Sequence, residues 1–419
     1  MQIFSYVPYG YEGILVGIEA DIRRAIPGVD ITGLAAGAVR EAKERVRAAF
    51  RNSGFKFPQD RVLINLTPAG VKKDGAGLDL SIALSIMTAA ALVPNTAACV
   101  LVLGELELSG VVRAGSGVLA AVAAGLDAGI GNFIVPAGNA AEAALLKKGN
   151  ICGVSSLEES AAALFFMAEH GFFPPSTAGT ARTPAAEKAV IADAAGKDAY
   201  GDFAEVCGQE HYKRVMEIAA AGGHNTLVFG PPGAGKTMLA RRLPSIMAPL
   251  TRDEAVEVTK IHSLAGRFAE AFGAECSLLI QEAPFRSPHH SASVEGLLGG
   301  GKSIRPGEIS LAHYGILFLD ETPEFKINVL QALREPLEDK MIRISRAEGT
   351  VRLPADFQLV MAANPCPCGR LGMDNFAKPG SGCFCSGVEI ERYWKRFGGA
   401  LLDRVELRAA VFSGIDSSA

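Results

Sequence analysis

The sequence predicts an α/β protein of two domains, and three observations carry that prediction. Strand-like and helix-like segments alternate from about residue 1 to 168. Residues 171 to 200 then turn rich in Ala, Thr and Pro, with no large apolar residue between Phe173 and Val190, which is the composition of an exposed linker. Finally, the short apolar segment Thr226–Phe229 enters a glycine-rich loop that is followed by an apolar-periodic helix. The expected layout is a domain over 1–170, a linker over 171–202 and a second domain over 203–419.

Within the first domain, Ala38 to Phe50 reads as a helix: Val39, Val46 and Phe50 share a face, and charged residues largely cover the rest. Strands are expected at Val62–Leu66, Val100–Leu103 and Phe133–Val135, with helices at Val118–Ala128 and Ala140–Lys148. The stretch Leu80 to Gly104 carries no charge and is long enough to span a bilayer. Pro94-Asn95-Thr96 interrupts it, however, so a buried helix (Ser81–Leu92) followed by a buried strand (Cys99–Leu103) is the better reading, without a membrane span. The N-terminal MQIFSYVPYG has no basic region followed by an apolar core, which argues against a secretory signal and for a cytoplasmic address.

At 419 residues the chain is longer than one compact core ordinarily allows, and 49% hydrophobic with 21% charged residues describes a well-packed soluble protein. A formal net charge of −4 does not advertise a polyanionic partner, so nucleic acid would have to meet a local basic surface or a pore built from several subunits. Between Arg40 and Arg61 there are seven Lys/Arg against three Asp/Glu. That excess suits either a phosphate-tracking surface or the solvated face of an amphipathic helix.

Gly230-Pro231-Pro232-Gly233-Ala234-Gly235-Lys236-Thr237 meets every constrained position of G-x-x-x-x-G-K-[ST], in the strand–loop–helix setting that pattern needs. Glycines let successive backbone N–H groups converge on a phosphate, and the helix N-terminus adds partial positive charge. These eight residues are therefore the expected cradle for ATP, with Lys236 bridging the outer phosphates and Thr237 holding Mg²⁺. Hydrolysis also needs a metal-orienting carboxylate and a group that positions water. Gly315-Ile-Leu-Phe-Leu-Asp320-Glu321 offers both at the end of an apolar strand, expected to lie beside the strand that enters the loop, with Asp320 toward Mg²⁺ and Glu321 toward the water. A third strand, Phe357–Ala363, ends in Asn364, a neutral group able to orient the same water.

Of the eight cysteines, Cys99, Cys152, Cys207 and Cys276 are scattered and read most simply as reduced core residues. Cys366-Pro-Cys368 and Cys383-Phe-Cys385 form two C-x-C pairs separated by 14 residues. Four soft ligands on two short turns suit a closed tetrahedral Zn²⁺ site, with free thiols and disulfides as the alternatives. His289 and His290 have no carboxylate or cysteine beside them in sequence and read as loop-contacting or DNA-facing residues rather than metal ligands.

Taken with Arg286-Ser-Pro-His-His-Ser-Ala-Ser293, Gly299-Gly-Gly301, Pro306-Gly-Glu-Ile-Ser-Leu-Ala-His313 and Asn364-Pro-Cys-Pro-Cys-Gly369, these motifs resemble the ComM/YifB-type competence proteins, AAA+ ATPases related to the magnesium-chelatase motor subunit. The resemblance covers nearly the whole chain. It implies a hexameric ring that moves along single-stranded or branched DNA and drives branch migration or helicase-type steps in recombination and natural transformation, Asn364 as the sensor-1 residue, and a pore-directed insertion near 285–312. Leu401-Leu-Asp-Arg404 resembles the family's arginine-finger segment, which implies that Arg404 completes a neighbouring subunit's ATP site. The N-terminal region resembles the domain shared in fold with ribosomal protein S5 and Lon peptidase. Where the Lon pattern carries a nucleophilic serine this chain has Ala76 and Gly77, and Ser81 lies a turn further on, so a DNA-contacting or ring-organising role is expected instead of peptidase activity. Members of the family continue into a helical lid with a sensor-2 arginine, which residues 1–419 are expected to lack. Two other functions remain open: a chelatase-type ATPase that remodels a protein or metal-insertion partner, and a non-hydrolysing scaffold, against which the Lys236, Thr237, Asp320 and Glu321 set argues.

Overall fold

The N-terminal half builds a seven-stranded sheet from β1 (Gln2–Val7), β2 (Ile14–Arg23), β3 (Gly28–Thr32), β4 (Arg61–Thr67), β5 (Cys99–Val102), β8 (Asn132–Pro136) and β9 (Asn150–Val154). A two-stranded pair, β6 (Glu105–Leu106) with β7 (Val112–Arg113), lies outside it. The computed structural model describes residues 1–73, 75–174, 201–267, 279–301, 304–346, 349–372 and 382–411. Most of the expected linker and Cys276 therefore lie outside the described residues. The chain divides into two units, one of Met1–Ala194, Thr259–Leu279 and Arg346–Gly349, the other of Ala195–Val258, Ile280–Ser345 and Thr350–Ala419.

In the first unit the strand order is β3-β4-β2-β1-β5-β8-β9. β2 runs antiparallel to β1 and β4, while β1, β5, β8 and β9 pair in parallel. Helix Gly37–Asn52 buries Val39, Ala42, Val46, Ala49 and Phe50, the apolar stripe its sequence foretells. Helix Asp79–Ala89 is buried along its first nine residues, which explains why this segment is uncharged apart from Asp79. That carboxylate is fully buried and held by Arg45, whose Nε and Nη2 donate at 2.7 and 2.9 Å. Ala140–Lys148 is not one helix: a single turn, Ala140–Ala143, tightens into a 3-10 turn, Ala144–Leu146, and Lys147 adopts φ 53°. The compact turn lets β9 enter in parallel register with β8, Asn150 opposite Asn132. Among the described residues no helix is long and apolar enough to cross a membrane.

The second unit is organised by a five-stranded sheet of β10 (Thr226–Phe229), β11 (Phe285–Arg286), β14 (Ile316–Leu319), β17 (Gln358–Ala363) and β18 (Leu407–Ala410). Its order is β11-β14-β17-β10-β18, and every pairing is parallel. β14 and β17 are buried at every position, the continuous apolar runs that a parallel sheet covered on both faces requires. Two small ribbons complete the strands, β12 (Gly299–Gly300) with β13 (Arg305–Pro306) and β15 (Met341–Arg346) with β16 (Gly349–Pro354). One expectation is corrected here. β14 does not lie beside β10, because β17 sits between them and pairs with both.

Candidate nucleotide site

β10 ends at Phe229 and the chain turns through Gly230–Gly235 into helix Lys236–Arg242, which a 3-10 turn at Leu243–Ile246 closes. Gly233 and Gly235 take φ 80° and 81°, conformations that residues with a Cβ adopt only under strain. A Cβ built on Gly233 would have no heavy atom within 4 Å, so that face of the loop is open. Gly230 serves the other side: its Cβ would stand 2.2 Å from the Val411 carbonyl oxygen, so only glycine lets β10 and β18 converge there.

Lys236 folds back over the loop, its Nζ donating to the carbonyls of Gly230 (2.6 Å) and Pro231 (2.9 Å) and to Asn364 Oδ1 (3.3 Å). Burial lowers its pKa from the ordinary lysine value, against the opposing pull of Asp320 and Glu321. Thr237 Oγ1 donates to Asp320 Oδ2 at 2.7 Å. The first turn of the helix thus reaches past the end of β17 to the end of β14, which answers how residues two strands apart meet. Asn364, Asp320 and Glu321 all follow the carboxyl ends of their parallel strands, where open α/β sheets place their ligands.

Glu321 takes φ 47° and ψ 44°, a left-handed backbone rare for a side-chain-bearing residue, and its N–H donates to Asp320 Oδ1 at 2.9 Å. Sequence reasoning set His290 apart from this site, yet its Nδ1 lies 3.9 Å from Glu321 Oε2. A fork from Arg286 to Glu308, at 2.7 and 3.0 Å, ties down the segment that carries it. Reading along the loop motif also missed the upstream helix Glu210–Gly222: Tyr212 donates to the Lys236 carbonyl at 2.9 Å and Gln209 Nε2 to the Ala234 carbonyl at 3.4 Å. The available signal was the apolar face Tyr212, Met216 and Ala219 just before β10.

Arg404 lies elsewhere. β18 pairs in parallel with β10, Leu407 opposite Thr226, so Arg404 precedes the strand-start end of the sheet while the loop follows the opposite end, at least about 10 Å away along the strands. Its guanidinium pairs with Glu338 and donates to the Ala400 carbonyl, and its Nε is buried with no hydrogen-bond partner among the described residues.

The family described as "Magnesium chelatase, subunit ChlI" matches residues 202–417, and "Subunit ChlI of Mg-chelatase" matches 18–139. An uncharacterized protein of Mycobacterium tuberculosis is 40% identical over 99% of this chain and 79% of its own length. YifB of Salmonella typhimurium is 40% identical over 94% of this chain and 72% of its own, and the competence protein ComM of Haemophilus influenzae 38% over 98% and 76%. The chain belongs to the magnesium-chelatase-like YifB and ComM family. Membership implies ATPase activity and the use of ATP with Mg²⁺.

The residues of this family member fit that cofactor pair: an open glycine cradle, a buried ammonium held by neutral acceptors, and the hard oxygen donors of Thr237 and Asp320, which suit Mg²⁺. The cysteine pairs also converge. Cys366, Cys368, Cys383 and Cys385 place their sulfurs within 4.8 Å of one another, with separations of 3.3, 3.6 and 3.6 Å among the first three. Tetrahedral Zn–S bonds of about 2.3 Å set sulfurs about 3.8 Å apart, so the donor set fits Zn²⁺. Of the three scattered cysteines among the described residues, Cys152 is a buried core residue, while Cys99 is half-buried and Cys207 exposed, which corrects the assignment of those two to the core.

Two other expectations concern the first unit. Ser81 Oγ donates to the Leu78 carbonyl at 2.7 Å, and Lys73, fully buried, donates to the carbonyls of Gly33 (2.8 Å), Leu66 (3.4 Å) and Pro68. Both are engaged with interior main chain. Of the cations between Arg40 and Arg61, Arg45 is bound to Asp79, Arg47 lies over the Phe57 ring and Arg61 pairs with Asp30, so part of the basic run serves the fold.

Proposed function

We propose that the chain is an ATP-hydrolysing AAA+ motor that works on DNA as part of a hexameric ring. The observation that carries the ATPase part of this reading is the 2.7 Å contact between Thr237 and Asp320, with Lys236 and Asn364 in touch beside it at the carboxyl ends of one parallel sheet. Bound here, ATP with Mg²⁺ supplies the phosphoanhydride that is cleaved. Thr237 and Asp320 would hold the metal through oxygen, and Lys236 would neutralise phosphate charge. Glu321 takes a proton from the attacking water at its carboxylate, and Asn364 orients that water. Arg404 lies too far from the loop of its own chain to serve it, which supports a role in a neighbour's site and hence the ring.

In this reading residues 1–170 form the S5/Lon-like domain, 171–202 the linker and 203–419 the AAA+ core. The family relation to a competence protein supports DNA as the partner. The cysteine cluster supports a structural Zn²⁺. The matching magnesium-chelatase description favours a second reading, a motor that remodels a protein or metal-insertion partner. ATP turnover measured with and without single-stranded, duplex and four-way-junction DNA separates them: stimulation by DNA is expected, and none by any of the three would favour remodelling.

A further inference from the structure

The cysteine cluster and the nucleotide site share one turn of chain. β17 ends at Ala363, Asn364 follows, and Pro365 to Gly369 then bends back with the Gly369 N–H donating to the Cys366 carbonyl at 2.9 Å. Cys366 and Cys368 sit on this bend, Cys366 fully buried. Gly369 is packed so closely onto the nucleotide loop that an added Cβ would stand 3.0 Å from Pro232 Cδ and 3.9 Å from Asn364 Cγ. The second pair, Cys383 and Cys385, immediately precedes helix Gly387–Lys395, whose start is fixed by a capping box between Ser386 and Glu389. That helix carries Trp394. Its indole Nε1 donates to the Pro365 carbonyl at 3.1 Å, and its ring meets Phe229, the last residue of β10, edge to face at 5.6 Å.

An ion held by the four sulfurs would therefore join the strand that ends in Asn364 to the helix whose tryptophan braces both Pro365 and the end of β10. We propose that Zn²⁺ at Cys366, Cys368, Cys383 and Cys385 sets the position of Asn364 and Pro232, so that metal occupancy and nucleotide binding are thermodynamically coupled; the proposal rests on the ATP-site reading above. All four sulfurs lie within 4.8 Å of one another, a spread that brackets the separation a single tetrahedral ion sets. Coupling between two sites is reciprocal: if the ion favours the nucleotide-ready turn, bound nucleotide must retain the ion.

Reciprocity supplies a test that requires neither turnover nor a cysteine variant. Purified chain should contain one equivalent of zinc by elemental analysis. Its apparent affinity for zinc, read at equilibrium against a competing chromogenic chelator, should rise about fivefold or more when ATPγS and Mg²⁺ are present. Lys236→Ala, which should not take up a fluorescent ATP analogue, should hold zinc equally tightly with and without ATPγS. Binding of the fluorescent analogue by the parent chain with unchanged zinc affinity would overturn the coupling while leaving the nucleotide site intact. Failure to bind the analogue at all would overturn both. Zinc well below one equivalent, with disulfides found among these cysteines by mass spectrometry, would remove the metal.

Discussion

Arg404→Ala separates a structural role from a catalytic one because the two predict effects of different size. In the folded chain the side chain is 27% exposed and pairs with Glu338, itself 53% exposed. Losing such a pair costs roughly 0–1 kcal/mol. The hydrogen bond from Asn225 Nδ2 at 2.9 Å goes to the Arg404 main-chain carbonyl, so it survives truncation. In a unit of this size about 1 kcal/mol lowers the melting temperature by about 2–4 °C. Acting as an arginine finger, by contrast, Arg404 would contribute about 10³ to 10⁵ in rate, about 4–7 kcal/mol of transition-state stabilisation. Phosphate release measured across protein concentrations should therefore collapse by about a thousandfold while the melting temperature barely moves and nucleotide affinity persists. Mixing the variant with Lys236→Ala should restore part of the activity, because mixed rings contain sites with an intact Lys236 facing an intact Arg404. An Arg404→Ala chain that alone retained more than about a tenth of parental turnover would refute the assignment.

Other consequences follow from individual contacts. Gly230→Ala forces a Cβ to within 2.2 Å of the Val411 carbonyl, so the loop must shift; affinity for a fluorescent ATP analogue should fall tenfold or more, about 1.4 kcal/mol, with the circular dichroism spectrum unchanged. Arg45→Ala leaves the fully buried Asp79 without its cation and should lower stability by about 3–5 kcal/mol in urea titration, whereas a loss below about 1 kcal/mol would mean the carboxylate finds another partner. His313 accepts at Nδ1 from the Asp356 N–H at 3.0 Å and directs Nε2 to Glu257 at 3.2 Å. Burial lowers its pKa from the ordinary value of 6.5 despite Glu257, Asp356 and Glu254 nearby. The unfolded chain then binds the proton more readily, so this contribution to stability is present above about pH 6.5 and declines as pH falls below it. Melting curves at pH 7.5 and 5.5 should show a drop that His313→Gln makes smaller.

Much of the local structure was legible because its signals are local. Thr226–Phe229 is a strand over those very residues, and Val39, Val46 and Phe50 face the core of the first unit as their spacing dictates. The helix Asp79–Ala89 and the strand Cys99–Val102 fall on either side of the Pro94 interruption. The alanines of Ala140–Lys148 favour a longer helix, whereas the parallel register of β9 demands a tighter turn. The expected adjacency of β10 and β14 failed for a different reason. A motif states which residues end a strand, but strand order is settled by which edges pair, and β17 takes the central place.

The same division holds at the site. By itself the sequence determined that a glycine loop with Lys236 and Thr237, an acidic pair after an apolar strand, Asn364 and two cysteine pairs exist, because each is a short run with its own spacing. Only the tertiary structure decided their relations: that Thr237 meets Asp320 from two strands away, that His290 stands near Glu321, that Arg404 lies at the opposite end of the sheet from the loop of its own chain, and that the cysteine turn rests on Pro232. These depend on contacts between residues far apart in the chain, which are set by how buried strands stack side by side rather than by any local pattern.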